Sequence, residues 1–229
     1  MHCEIRRDVL RSLVEGVSEL LEKGNEVIIV SSGAVGCGKS VIDKIGGVGV
    51  KQAQAAVGQI KLMGEFVRAF SKKKLYVAQF LLNVDDLNSD RKENIFAAYK
   101  HLRGEAIPIV NENDVTAIGE LSFGDNDNLA AEILEKFDFD ILLVLSEKGA
   151  MIRGGKRLML SDSFSVEDYD KLSSNDGYGF GGLASKLAVA KRVVEMKKNF
   201  IVGKAGDDII GILEGRVPAT HFAERQMKW

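Results

Sequence analysis

Asn111-Glu112-Asn113-Asp114 follows directly on an apolar run, Ala106 to Val110, and a second polar block, Gly124-Asp125-Asn126-Asp127-Asn128, begins ten residues later. Four consecutive hydrogen-bonding residues behind a buried strand serve a core poorly. They serve a ligand well, because open α/β folds bind ligands at the carboxyl edge of the sheet. The two blocks offer carboxylates and amides but no histidine or cysteine. That set suits gripping a small polar ligand, or orienting other charged groups, better than it suits zinc. Each block also has a plainer reading. Asp125, Asn126 and Asp127 can cap the helix that follows, and on the residues alone this stands level with function. Asn111 to Asp114 can be a polar turn, but their density of polar groups favours a site.

Gly33-Ala34-Val35-Gly36-Cys37-Gly38-Lys39-Ser40 fits the phosphate-loop pattern G-x-x-x-x-G-K-[ST] letter for letter. A phosphate loop needs a helix starting at its Lys-Ser, so that helix amides face the phosphates. Here Gly46-Gly47 stop any such helix within about two turns. No later apolar strand ends in the Asp that would help hold magnesium. We therefore reject a P-loop NTPase and read Lys39 as a solvated loop lysine. A second glycine-rich stretch, Gly177 to Gly182, leads towards Lys186. On composition alone it is equally a flexible surface loop, and Lys186 a solvated helix lysine.

Alternating helix and strand patterns position these residues. Ile5, Val9, Leu13, Val17, Leu20 and Leu21 recur at helical spacing, and Gly24 ends that helix. Glu26 to Val30 reads as a strand buried on both faces, followed by irregular sequence to Gly49. A long helix is predicted from Val50 to Lys73, with Ala53, Val57, Ile60, Met63, Val67 and Phe70 on its apolar stripe. Strands are predicted at Leu75 to Leu82, Ala106 to Val110, Ile141 to Leu145 and Phe200 to Val202. Helices are predicted at Asp90 to Arg103, Asn126 to Lys136 and Leu183 to Met196. Met151-Ile152 and Arg157 to Leu160 suggest a hairpin. The alternation predicts an α/β fold, a three-layer αβα sandwich with a mainly parallel central sheet, in one domain spanning 1–229.

Bulk properties bound the function. The 229 residues carry a formal net charge of −2, which gives no sign of a nucleic-acid or membrane-surface protein. No apolar run reaches membrane-spanning length. Two cysteines cannot build a disulfide framework, which fits a cytoplasmic location.

Several segments, in order, resemble the amino-acid kinase superfamily, and within it the glutamate 5-kinases (gamma-glutamyl kinases). Val30 to Val35 resembles the family's first substrate loop and Lys51 to Gln59 its next helix. Gln79, Leu81, Leu82, Asp86, Leu87 and Arg91 fit the segment after that. Asn111 to Asp114 with Gly124 to Leu129 resembles its most distinctive pair of blocks. Gly179 to Leu187 resembles its nucleotide loop, and Ile210-Gly211 with Glu214-Gly215 its closing segment.

The resemblance implies transfer of the γ-phosphoryl group of ATP, with Mg2+, to the side-chain carboxylate of L-glutamate, the first step of proline biosynthesis. It implies Ser32, Asp114 and Asn126 as substrate-binding and Asp127 and Lys186 as catalytic. Ser146, Glu147, Phe180, Gly181, Gly182, Leu183, Ala184, Ser185 and Lys186 fall at nucleotide-binding positions. A homo-oligomer and feedback inhibition by proline are implied in the same way. The alternatives are a kinase of this fold with another small acceptor, or a non-catalytic homologue.

The sequence departs from the family pattern in places. The family opens with a strand and a V-V-K-x-G-S loop before the first helix, so we expect the chain as given to be incomplete there. Ser146-Glu147 stands where Thr or Ser followed by Asp is usual, and Phe180 where a small polar residue is common. The RNA-binding-like domain that many members append is not in the sequence.

Overall fold

The computed structural model describes residues 6–117, 125–149, 152–153, 156–157 and 182–223. Helix α1 (Arg7–Glu22) buries Leu10, Val14 and Val17, while Val9, Leu13, Leu20 and Leu21 line the margins of that stripe. The buried face is thus turned about one residue from the predicted one. The helix stops as expected: Gly24 takes φ 82°, its N–H donates to Leu21 O, and Asn25 N–H donates to Leu20 O.

The residues up to Leu129 cluster in one compact unit and those from Ala130 in another. The first unit holds strands β1 (Ile29–Val30), β2 (Val77–Leu82) and β3 (Ile107–Glu112), all parallel in the order β1-β3-β2. The first five residues of β3 are buried, as befits a central strand covered on both faces. The ladder of β1 begins only at Ile29, later than the apolar run suggests. Glu26, at the head of that run, instead accepts hydrogen bonds from the Tyr99 hydroxyl, at 2.5 Å, and from Arg103.

Helix α2 (Ala34–Gly38) lies inside the stretch expected to be irregular. Helix α3 (Val48–Ser71) supplies Ala55, Leu62, Phe66 and Phe70 to the core. The predicted stripe holds only in part: Phe70 is buried and Met63 packs against the core, but Ala53, Ile60 and Val67 face outward. Apolar residues surround most of this helix, so periodicity alone could not choose its inner face. Helices α4 (Val84–Leu87) and α5 (Lys92–Leu102) follow β2. The Asp86 carboxylate accepts from the Asn83 N–H at 2.8 Å and starts α4, which is too short to show a period.

Helix α6 (Asp125–Lys136) crosses the boundary between the units. In the second unit β4 (Ile141–Ser146) pairs parallel with β7 (Asn199–Lys204), and β8 (Thr220–Phe222) pairs antiparallel with β7. Strands β5 (Ile152–Arg153) and β6 (Lys156–Arg157) form the expected hairpin. The remaining predicted hairpin residues, 151 and 158–160, lie outside the described residues. Helix α7 (Gly182–Glu195) packs Leu187, Val189 and Val193 with Ala131, Leu134, Phe200 and Phe222. The Phe200 and Phe222 rings meet at 5.8 Å and 57°. Arg192 bridges Glu132 and Glu135 at 2.7 and 2.6 Å, joining α7 to α6. Helix α8 (Ile209–Leu213) and β8, both short, complete the unit.

Candidate functional site

Parallel strands deliver their carboxyl ends to one edge, and in the first unit all three ends are polar. Val30 leads into Ser31-Ser32, Leu82 into Asn83, and β3 ends in Asn111-Glu112 before Asn113-Asp114. Backbone bonds fix these ends to one another. Ser31 N–H donates to Val110 O at 2.8 Å, and Asn113 N–H to Leu82 O at 3.2 Å. The Asn83 side-chain amide donates to Thr116 Oγ1 at 3.1 Å, tying the turn after β3 to the end of β2. Asp114 sits half-buried in that turn, and Ser32 is exposed.

Asn126 joins the same edge. Its Oδ1 accepts from Glu112 N–H at 3.2 Å. The side chain therefore ties the first turn of α6 to the end of β3. Asp127, half-buried, follows it in the first turn of α6. Ser32, Asp114, Asn126 and Asp127 thus belong to one edge of the first unit. The Asp86 carboxyl lies close by in sequence to Asn83. Burial would raise its pKa, but the Asn83 N–H and the Arg91 guanidinium hold it below its ordinary value.

Sequence reasoning missed one participant. Gln59 of α3 is buried, and its Oε1 accepts from Asn111 Nδ2 at 2.8 Å. A glutamine within an apolar helix was the available signal, since burying one demands a partner.

The glycine-rich string Gly33 to Ser40 is a packing device. Gly33 takes φ 104° ahead of α2. A Cβ on Gly38 would fall on the Gln54 carbonyl oxygen, and one on Gly58 on the Ala34 carbonyl oxygen. No helix starts at Lys39; the next is α3, at Val48. Lys39 is exposed, and Ser40 Oγ accepts from Lys61 Nζ at 2.7 Å.

In the second unit, Ser146 ends β4 and closes a turn. Its Oγ accepts from Gly149 N–H at 3.1 Å, and its carbonyl accepts from Ala205 N–H at 2.9 Å. Glu147 is exposed beside it. Helix α7 begins at Gly182, so Leu183, Ala184, Ser185 and Lys186 fall in its first turns. The first amides of a helix have no intrahelical partners and favour anions. Phe180 and Gly181 lie outside the described residues, as do Gly177 to Gly179. Among the described residues, no three His, Cys, Asp or Glu side chains converge as a metal site, and no helix is long and apolar enough to cross a membrane.

Comparison with known proteins supplies the family. Residues 3–203 match the model of the amino acid kinase family. Glutamate 5-kinase of Dictyoglomus turgidum is 35% identical over 89% of this chain and 57% of its own length. Glutamate 5-kinase 2 of Rhizobium meliloti is 34% identical over 95% of this chain and 86% of its own. The chain thus spans less than two thirds of the length of several curated relatives. Carbamate kinase from Giardia lamblia bound to AMP-PNP has a TM-score of 0.61 over 97% of this chain and 94% of that one, at 11% identity. That likeness places the chain in the expected fold class, an α/β sandwich of mainly parallel strands. The match across residues 3–203 shows that this chain belongs to the amino acid kinase family.

Proposed function

We propose that the chain transfers the γ-phosphoryl group of ATP to the side-chain carboxylate of L-glutamate. A carboxylate oxygen forms the new bond to phosphorus, the bond from phosphorus to the bridging oxygen breaks, and ADP leaves. The product is glutamyl 5-phosphate, which opens proline biosynthesis. The observation that carries this reading is the polar edge built on β3, where Val110 holds Ser31 and Glu112 holds Asn126. Similarity to glutamate 5-kinase 2 of Rhizobium meliloti across 95% of the chain supports the acceptor.

The reaction brings negative charge against negative charge, so catalysis is mainly positioning and neutralisation. Asp114 accepts hydrogen bonds from the substrate ammonium, and Ser32 and Asn126 bond its polar groups. Asp127 orients cationic groups, and Lys186 stabilises the phosphoryl group in transit. The start of α7, with Ser146 and Glu147, serves the nucleotide. Magnesium fits best as an ion carried on the triphosphate, which needs few protein ligands and no cage of carboxylates; it neutralises phosphate charge when bound. The reaction is assigned to the chain as a whole, residues 1–229, acting in the cytoplasm as a homo-oligomer restrained by proline.

Trapping the acyl phosphate with hydroxylamine tests the reading. Hydroxamate that forms only with both ATP and L-glutamate is expected. ATP turnover indifferent to glutamate would overturn it.

A further inference from the structure

Gln59 and Asn111 are 8% and 1% exposed and share one hydrogen bond. Gln59 Nε2 and Asn111 Oδ1 are left buried without a partner. Turning both amides over swaps the atoms but leaves the same remainder, one N–H donor and one carbonyl acceptor. Unpaired buried amides are costly, and two apolar side chains of the same shape would hold a core at least as well. Stability alone therefore does not account for the pair.

Its position does. Asn111 lies between Val110, whose carbonyl holds Ser31, and Glu112, whose N–H holds Asn126. Gln59 follows Gly58, the residue at which α3 packs on the Ala34 carbonyl just beyond Ser32. One side-chain bond thus links α3 to the segment of β3 that fixes both sides of the polar edge. We propose that Gln59 is a positioning residue for the amino-acid substrate. Through Asn111 it sets the placement of Ser32, Asp114 and Asn126, without touching the phosphoryl group. This rests on the proposed glutamate kinase function.

Steady-state kinetics of the full chain, with glutamate and ATP varied separately, test it. Gln59→Met keeps the shape and loses the bond, and should raise KM for glutamate about tenfold with KM for ATP and kcat within about twofold. Gln59→Glu still offers Asn111 an acceptor oxygen and should recover most of that loss. Unchanged glutamate KM in Gln59→Met overturns the inference. So does a parallel rise in both KM values, or a fall in melting temperature as the sole effect. An unaltered chain with no glutamate-dependent turnover overturns the functional reading, and this inference with it.

Discussion

Asp114 and Lys186 are asked to do different work, and kinetics can tell them apart. Asp114 lies in the turn behind β3, and its proposed partner, the substrate ammonium, is the same in ground and transition states. Losing such an interaction raises KM and spares kcat. Asp114→Ala should therefore raise KM for glutamate about 10- to 100-fold, with kcat changed less than about threefold. Lys186 is proposed to meet charge that moves during transfer. Lys186→Ala should lower kcat about 10²- to 10³-fold and leave KM for glutamate nearly unchanged. Equal losses in both parameters from both variants would contradict the division of roles. Asp114 stands out in the sequence as part of a polar block behind a buried strand, and Lys186 only through the resemblance to the family's nucleotide loop. The sequence did not point to Gln59, whose importance lies in a bond across 52 residues of chain, to Asn111.

Helix α2 and the N-terminal half of α3 approach so closely that only glycine fits at Gly38 and Gly58. Gly58→Ala sets a methyl group on a backbone carbonyl, which has no rotamer to yield. It should cost about 3 kcal/mol or more in urea unfolding. Gly36, in α2 with open space around it, is the control; Gly36→Ala should stabilise by about 0.5–1 kcal/mol. These glycines mimic a phosphate loop in letters because both uses need a missing Cβ. The letters could not show that the neighbour is the backbone of another helix. Short elements were hidden for a related reason. Helices α4 and α8 span four and five residues, too few for a period to appear. Strands β1, β3, β4 and β7 were legible from the apolar runs within them, whereas β8, three residues with a threonine and a histidine, was not predicted. The pair β7 and β8 also carries a pH dependence. His221 is 9% exposed, its Nε2 lies 3.1 Å from Asn199 Oδ1, and burial lowers its pKa. The unfolded chain then takes up the proton first, so stability is full above about pH 6.5 and falls as pH drops below it. Urea midpoints from pH 7.5 to 5 should decline in the native chain and decline less in His221→Gln.

Association is where the partly misplaced stripe of α3 gains meaning. A helix apolar on all sides belongs inside a protein. Here the inner face is filled by Leu62, Phe66 and Phe70, yet Ala53, Ala56, Ile60, Gly64 and Val67 face outward, with Ile60 77% and Val67 52% exposed. The outer row is self-complementary. A two-fold axis through Ile60, with a second copy of the helix running antiparallel, sets Ala56 opposite Gly64 and Ala53 opposite Val67. Small residues on both sides of the crossing let the two backbones come close, and the same patch serves both copies, as an isologous contact requires. Each large apolar side chain buried contributes about 1.5–3 kcal/mol. Counting only the exposed fractions of Ile60 and Val67, the four side chains from two copies come to roughly 4–8 kcal/mol, within the range of the cost of association. The smaller residues around them decide whether a dimer is stable. Light scattering at micromolar concentration should give twice the monomer mass for the native chain. Ile60→Lys places a charge on the axis opposite its own copy and should yield monomer, while Lys51→Glu, at the start of the helix, should not. A monomeric native chain, or an Ile60→Lys dimer, would remove α3 as the contact between subunits.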